Sequence, residues 1–210
     1  MIQSRVPRVS GGGVAFSDAA DGDIRGGEAE RTDFAERLGI TDRWATLEQV
    51  HGSRVVEVDA PGDHGQADAM FTSRQGLPLA IFTADCAGVV IHARGAVGLA
   101  HAGWRGVARG VVSALLAEMR GAGFEPAMAQ IGPSIGPCCF EVGPEVSGQL
   151  GEFTATTSWG STSINLEEAI KKQLDGLEVW SMGTCTMHEP EWLSFRRDRT
   201  MGRMATVAWM

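Results

Sequence analysis

The stretch GVVIHARGAVGLAHAG, residues 88–103, decides the fold, because two apolar runs flank the turn dipeptide Arg94-Gly95. A glycine-containing turn between such runs predicts a β-hairpin. The second run ends at His101 and continues into Gly-Trp-Arg-Gly, residues 103–106. A strand end followed by a glycine-rich turn is an unusual position for a histidine that only fills a core. His101 and the nearby Arg105 are therefore candidate functional residues.

Further strands are predicted on both sides of this hairpin. They cover residues 44–50, 54–60, 67–73, 77–86, 127–131, 177–182 and 203–210, with one more short strand within residues 10–31. The run 54–60 alternates apolar and polar residues, which is typical of a half-buried strand. The order of these strands does not follow a repeated β-α-β rhythm, so a Rossmann fold is not predicted.

Two or three helices complete the predicted elements. Residues 31–40 predict a short helix with Thr32 as N-cap and Gly39 as its stop. Apolar residues at three- and four-residue spacing predict one amphipathic helix over 104–120. In residues 165–174, Asn165 is the expected cap and Glu168 completes a capping box. The elements together predict a mixed α/β protein.

Composition limits the function classes. The 210 residues are 43% hydrophobic, enough for one core, and the formal net charge of −8 argues against nucleic acid as a partner. No apolar leader is visible at the start, and the most apolar stretch, 77–104, is interrupted by Asp85, His92 and Arg94. We therefore expect a cytoplasmic protein with no membrane partner, and reduced thiols at its four cysteines.

Three chemistry-bearing residues stand at predicted strand ends, where ligand sites gather in α/β proteins. They are His51, Cys86 and His101. Two imidazoles and one thiolate suit Zn²⁺, and three protein ligands leave a fourth position open, as in catalytic sites. Their spacings of 35 and 15 residues do not by themselves force contact. The alternative is a buried structural thiol with two hydrogen-bonded histidines.

Two other features leave alternatives open. Arg105 beside a predicted helix start is suited to bind an anion such as phosphate, or it forms a surface salt bridge. The Gly/Pro-rich loop 131–143 either aims backbone N–H groups at an anion or is a rigid turn in which Cys138 and Cys139 pack as small hydrophobes. Motifs for a phosphate loop, a GxGxxG fingerprint, a zinc deaminase and a GxSxG elbow are absent from the sequence.

Five motifs occur in one order: QVHG, TADC, AHAGWRG, IGPSIGPCCFEVG and SFRRDRTMGRMA. Together they resemble the laccase-domain family, also called multicopper polyphenol oxidase-like proteins, over about residues 45–210. The resemblance implies a single domain over 1–210 with a layered sandwich of mixed β-sheets flanked by helices, similar to cysteine hydrolases. The family's metal site corresponds to His51, Cys86 and His101. The chain departs from the family in SFRRDR and at Ala19, where relatives often carry arginine.

The resemblance also implies an activity. Family members are described as purine nucleoside phosphorylases and adenosine deaminases, acting on adenosine, inosine and methylthioadenosine, and one branch edits peptidoglycan. We expect a zinc-dependent nucleoside enzyme, with nucleoside and phosphate as partners and Arg105 as a phosphate ligand. Cu²⁺ is a possible second metal, although five histidines are too few for a multicopper oxidase. A monomer or small homo-oligomer is expected.

Two alternatives remain at this point. In one, Cys86 is the nucleophile of an amide hydrolase that edits peptidoglycan precursors, with His101 or His51 as its base. In the other, the protein binds zinc without catalysis, in a site closed by a fourth protein ligand. An open metal position that faces a pocket favours an enzyme over the closed site.

Overall fold

The computed structural model describes residues 2–3 and 12–210. Its strands within that range are β1 Ile2–Gln3, β2 Gly13–Phe16, β3 Ala45–Glu48, β4 Val55–Glu57, β5 Gly62–Gln66, β6 Ala69–Thr72, β7 Leu79–Thr83, β8 Ala87–Ala93, β9 Ala96–Ala102, β10 Pro126–Ile131, β11 Thr154–Thr156, β12 Thr162–Ile164, β13 Glu178–Ser181 and β14 Met204–Trp209. The α-helices are α1 Glu28–Leu38, α2 Trp104–Ala108, α3 Val111–Gly121, α4 Pro144–Leu150, α5 Leu166–Gln173 and α6 Phe195–Asp198.

Two six-stranded sheets form the body of the protein. The first sheet has the order β1-β2-β14-β7-β3-β5, and the second has the order β13-β10-β8-β9-β6-β4. Both sheets mix parallel and antiparallel pairs, and β11 and β12 form a separate antiparallel pair. The predicted layered sandwich of mixed sheets flanked by helices is confirmed.

The apolar core is divided into layers. Leu79 and Ile81 of the first sheet pack against Val90 and Leu99 of the second, so one core lies between the sheets. On the outer face of the second sheet, residues such as Val89 contact α3 and α5. On the outer face of the first sheet, α1 covers residues of β2, β7 and β14. Strands β8 and β9 are covered on both faces, so every residue in them is buried.

The predicted hairpin is observed with its turn at Arg94-Gly95, where Gly95 has φ 81°. The predicted single helix over 104–120 is wrong, because the chain forms α2 and α3 with a break at Gly110. Gly110 has φ 76°, a left-handed conformation that glycine adopts without steric cost. The break separates α2, which begins three residues after His101, from the core-packed α3.

Helix capping differs from expectation at one helix and agrees at another. Thr32 is not an N-cap: α1 begins one turn earlier after Gly27, and the Thr32 hydroxyl donates instead to Asp42 at 2.9 Å. The Asn165 side chain accepts the Glu168 N–H at 3.2 Å, as predicted for the cap of α5. The reciprocal half of the predicted capping box is not observed, because the Asn165 N–H donates to the Phe153 carbonyl at 2.9 Å. The sequence patterns did not indicate the short helices α4 and α6 or the strands β1, β5, β11 and β12. Within residues 2–3 and 12–210, none of the helices has the length and apolar character needed to span a bilayer.

Candidate metal centre and its pocket

The β8–β9 hairpin places Cys86 beside His101. Gly88 pairs with His101 and Ala87 with Ala102 in the antiparallel register, and Cys86 lies directly before this ladder. The preceding residue, Asp85, has φ 85°, so the chain turns sharply there. The thiol and the imidazole therefore meet at the same end of two neighbouring strands.

His51 reaches the same place from the loop after β3. Its backbone is left-handed, with φ 59°, an uncommon conformation for a residue with a side chain. The backbone N–H groups of Val50, His51 and Gly52 donate to the carboxylate of Asp68 at 3.2, 2.9 and 2.6 Å. Asp68 is fully buried, so these hydrogen bonds compensate the cost of burying its charge and hold the loop.

The same carboxylate orients His101. Asp68 Oδ1 lies 2.8 Å from His101 Nδ1, so Nδ1–H donates to Asp68 and Nε2 is left as the ligand atom. Such carboxylate–histidine pairs are the common support of histidines that bind metal ions. Sequence reasoning missed Asp68. Its signal is a carboxylate at the start of an apolar strand, in ADAMF.

One ligand atom from each of His51, Cys86 and His101 lies within 4.8 Å of the other two, and the imidazole centroids are 4.7 Å apart. We call these three residues the ligand cluster. Zn–N and Zn–S bonds of about 2.0–2.3 Å separate ligand atoms by about 3–4 Å, so small adjustments would seat an ion. A Cβ at Gly103 would lie 2.8 Å from Cys86 Sγ and 3.7 Å from His101 Nε2. The glycine leaves room at the point where the donors meet.

The donor set fits a borderline or soft divalent ion and could hold Zn²⁺ or Cu²⁺. Among the described residues, no fourth His, Cys, Asp or Glu belongs to this group. The described residues therefore supply three of the four ligands that zinc usually takes.

Charge coupling within the ligand cluster shifts two pKa values. Burial raises the pKa of the Cys86 thiol, but the charge and hydrogen bonds of His101 and His51 outweigh it and lower that pKa to about 6. Burial lowers the pKa of His101, but Cys86 and Asp68 raise it to about 9. Near neutral pH the pair is therefore a thiolate and an imidazolium, and the thiolate is the form that binds metals or attacks carbonyl carbon.

A pocket of about 470 Å³ opens at the ligand cluster. Its lining combines apolar side chains with four arginines, which we call the pocket arginines: Arg25, Arg196, Arg199 and Arg203. The apolar part is Phe82, Ala84, Ile135, Phe140 and Phe195. Such a mixture of apolar walls and a few convergent charged groups is typical of sites for small ligands.

Two of the pocket arginines have their guanidinium groups held by backbone carbonyls. Arg196 donates to the Glu141 carbonyl at 2.8 Å, and Arg203 donates to the carbonyls of Thr200 and Gly202 at 3.0 and 2.9 Å. Carbonyl partners orient a guanidinium without neutralising it. The lining carboxylate, Asp85, accepts from Thr186 Oγ1 and from the backbone N–H of Arg196. These contacts indicate a subsite for an anion.

Arg105, expected from the sequence to bind phosphate, lies elsewhere. Its guanidinium stacks 4.2 Å from the centroid of Trp104 and pairs with Glu145 at 3.2 Å, and it does not belong to the pocket lining. Its side chain is directed toward α4, the helix that carries Glu145. Arg109, four residues further along the chain, donates a hydrogen bond to the His51 carbonyl at 3.2 Å.

The other histidines lie outside the site. His92 is buried within the hairpin, His64 contacts the Ala60 carbonyl at 2.9 Å and His188 is exposed. All four cysteines are free thiols.

Comparison with known proteins gives consistent matches. The family model described as multi-copper polyphenol oxidoreductase laccase matches residues 16–210. A protein named purine nucleoside phosphorylase from Streptomyces griseus is 36% identical over 95% of this chain and 85% of its own length. Another of that name, from Xylella fastidiosa, is 36% identical over 87% of this chain and 78% of its own.

Solved structures share the fold. YlmD from Geobacillus stearothermophilus superimposes with a TM-score of 0.86 at 28% identity and covers 100% of this chain and 97% of its own. The hypothetical protein YfiH from Bacillus licheniformis gives a TM-score of 0.86 at 24% identity, covering 95% and 92% of the two chains.

Proposed function

Because the chain belongs to the multi-copper polyphenol oxidoreductase laccase family, we propose that it is a metal-dependent purine nucleoside phosphorylase. The names of its curated relatives motivate the reaction class. The observation that carries the proposal is the pocket itself, in which a His/Cys/His ligand cluster stands opposite four arginines.

Phosphorolysis needs a site for phosphate, and the pocket arginines supply it. Guanidinium groups bind phosphate through paired, charge-assisted hydrogen bonds. Arg199 ends α6 with φ 53°, and its guanidinium lies 5.5 Å from the Phe195 ring centroid. Arg203 lies 5.9 Å from the same ring, so Phe195 holds two cations over one edge of the pocket. In this role the pocket arginines replace Arg105.

The nucleoside requires an apolar wall and polar groups beside it. Phe82, Phe140 and Ile135 offer flat or branched apolar surfaces for a purine and the ribose ring. The Gln49 amide makes two hydrogen bonds with the Phe82 backbone, because its Nε2 donates to the carbonyl and its Oε1 accepts the N–H, both at 2.8 Å. These bonds fix the position of Phe82 in the pocket wall. A volume of about 470 Å³ accommodates a nucleoside together with phosphate.

In the proposed reaction, a phosphate oxygen forms a bond to C1′ of the ribose while the bond from C1′ to the purine nitrogen breaks. The base leaves with the electron pair and takes up a proton, giving ribose 1-phosphate and the free purine. The pocket arginines orient the phosphate and offset its charge. Zn²⁺ held by the ligand cluster, or Cu²⁺ in its place, would supply a Lewis acid beside the substrate.

We extend the proposal to adenosine deamination, in which water replaces the C6 amino group and releases ammonia. Methylthioadenosine and inosine are the other proposed substrates. The test is to supply purified protein with adenosine or inosine, with and without phosphate, and to quantify free base, ribose 1-phosphate and ammonia. Phosphate-dependent base release that chelation abolishes supports the phosphorylase. Base release at the same rate with and without phosphate contradicts it.

A second candidate rests on the arrangement of Cys86 beside His101, which also lowers the pKa of the thiol. Asp68, His101 and Cys86 form a chain in which a carboxylate orients an imidazole beside a thiolate, as in cysteine hydrolases. In such an enzyme the Cys86 sulfur attacks an amide carbonyl, for example of a peptidoglycan precursor. Hydrolysis of muramoyl peptides that resists chelation would favour this candidate.

A further inference from the structure

A second group of potential metal ligands lies apart from the ligand cluster. Cys138, Cys139 and Cys185 each offer a sulfur atom, and all three sulfurs lie within 4.8 Å of one another. We call these residues the thiol cluster. Cys138 and Cys139 belong to the loop between β10 and α4, and Cys185 follows β13. The cluster therefore joins two segments that are distant in the sequence.

The spacing of the sulfurs suits one thiophilic ion. A metal–sulfur bond of about 2.3 Å places three thiolates roughly 4 Å apart around the ion. Cys139 and Cys185 are buried, whereas Cys138 is half-exposed and gives a path for an ion to enter. The group thus combines a buried donor set with an opening to solvent.

The backbone around the cluster is shaped for sulfur ligands. Gly136 donates its N–H to Cys185 Sγ at 3.2 Å, a contact that stabilises a thiolate. A Cβ at Gly136 would lie 3.5 Å from the sulfurs of both Cys138 and Cys185 and 3.2 Å from Cys185 Cβ. Glycine at this position allows the loop to approach Cys185 closely.

Two of these thiols, those of Cys138 and Cys139, resist ionisation. Burial, followed by the hydrogen bonds and charges of Cys138 and Cys185, raises the pKa of Cys139 to about 12. Burial and the proximity of Cys185 raise the pKa of Cys138 as well. Without an ion, both sulfurs therefore carry protons near neutral pH, and a metal ion must displace those protons to bind.

We propose that Cys138, Cys139 and Cys185 bind a thiophilic metal ion, Zn(II) or Cu(I), as a site separate from the ligand cluster. Each thiol releases its proton to solvent as its sulfur binds the ion. Soft thiolate ligands select these ions over Mg²⁺ or Ca²⁺. The bound ion holds the loop 136–139 against the segment that begins at Cys185.

This attachment bears on the pocket wall. Phe140 directly follows the cysteine pair and Ile135 precedes it by three residues, and both line the pocket. On the other side, Thr186 follows Cys185 and donates to Asp85 at 2.8 Å, next to the ligand residue Cys86. An ion in the thiol cluster therefore stabilises the two segments that form this part of the pocket wall, and its role is structural.

The experiment uses the Cys86→Ala variant, which lacks the thiolate of the ligand cluster. The metal-free, reduced variant is titrated with Co(II), whose charge-transfer absorption reports thiolate coordination. We expect one equivalent to bind with a strong thiolate band and to raise the melting temperature. Zn(II) and Cu(I) are then added separately under reducing conditions, and the ion that displaces cobalt at the lower concentration is the preferred one.

Adding Cys138→Ala to that variant removes one proposed ligand and leaves the other two sulfurs in place. We expect cobalt affinity to fall at least tenfold and the band to weaken, and Cys185→Ser in place of Cys138→Ala should act alike. A Cys86→Ala protein with no thiolate band, or a band that neither change affects, would overturn the proposal.

Discussion

Asp68 accepts a hydrogen bond from His101 Nδ1 at 2.8 Å, and the same oxygen accepts the backbone N–H of His51 at 2.9 Å. One buried carboxylate thus positions two of the three side chains of the ligand cluster. Its own pKa is lowered: burial raises it, but His101 and the N–H groups of Gly52 and His51 outweigh burial. Asp68 is a positioning residue, since it acts on the site through other groups.

Replacing this carboxylate should weaken metal binding. In Asp68→Asn, we expect a roughly 10–100-fold loss of zinc affinity, the range found when carboxylates behind ligating histidines are changed. Competition with a chromophoric chelator measures the affinity. Asp33→Asn, at an exposed carboxylate of α1, is the control and should keep the parent value. Unchanged affinity in Asp68→Asn would show that His101 needs no support from it.

The close approach of Gly103 can be tested by adding one methyl group. In Gly103→Ala the new Cβ would lie 2.8 Å from Cys86 Sγ and 3.1 Å from His51 Cδ2, so the ligand cluster must move. We expect loss of metal binding and of activity, with destabilisation of about 1–3 kcal/mol from overpacking. Gly148→Ala is the matched control, because nothing lies within 4 Å of its added Cβ. Equal metal content in both variants would contradict the geometry.

His92 should make the protein sensitive to acid. Burial lowers its pKa to about 4, and its Nε2 has no hydrogen-bond partner among the described residues. Between about pH 6.5 and 4 the unfolded chain binds this proton and the native state does not. The free energy of unfolding therefore falls as pH is lowered through that window, by up to about 1.4 kcal/mol per pH unit.

Chemical denaturation at several pH values checks this dependence. We expect His92→Gln to flatten the slope between pH 6.5 and 4, whatever its effect on stability at neutral pH. His188→Gln, at an exposed histidine, should keep the parent slope. A slope that is the same in the parent and His92→Gln would mean that His92 is not the responsible group.

Cys86 separates the metal enzyme from the thiol enzyme. An oxygen ligand can partly replace a thiolate at zinc, whereas a thiol hydrolase loses its attacking atom. We expect Cys86→Asp to retain some zinc and measurable adenosine deamination, both removed by chelation. Mass spectrometry of the parent should detect no covalent adduct at Cys86 with nucleosides. Chelator-resistant activity together with a trapped adduct would favour the hydrolase.

Part of the site could be predicted from the sequence. The hairpin with its turn at Arg94-Gly95 was predicted, whereas the contact between Cys86 and His101 was left open. The observed register settles that contact, because the turn is centred between Cys86 and Gly103. The strands β7, β8, β9 and β14 could also be predicted, because burial on both faces makes each of them a continuous apolar run.

Other parts depend on contacts between distant segments. The position of His51 is set by Asp68, which lies 17 residues away, and nothing local in the sequence indicates that contact. Arg199 and Arg203 reach the pocket through α6 and the chain that follows it, a short helix with too few residues for a periodic pattern. The sequence likewise left Arg105 open between an anion ligand and a surface salt bridge, because the direction of its side chain depends on Glu145, 40 residues away.

The central claim is that the pocket arginines bind the phosphate that attacks the nucleoside, and the KM for phosphate tests it most directly. Arg199→Gln removes a pocket charge, and Arg105→Gln removes an exposed arginine outside the pocket. Loss of one charged hydrogen bond, about 1.5–3 kcal/mol, predicts a KM for phosphate roughly 10–100-fold higher in Arg199→Gln and unchanged in Arg105→Gln. A parent-like KM in Arg199→Gln, or the increase appearing in Arg105→Gln instead, would contradict the account.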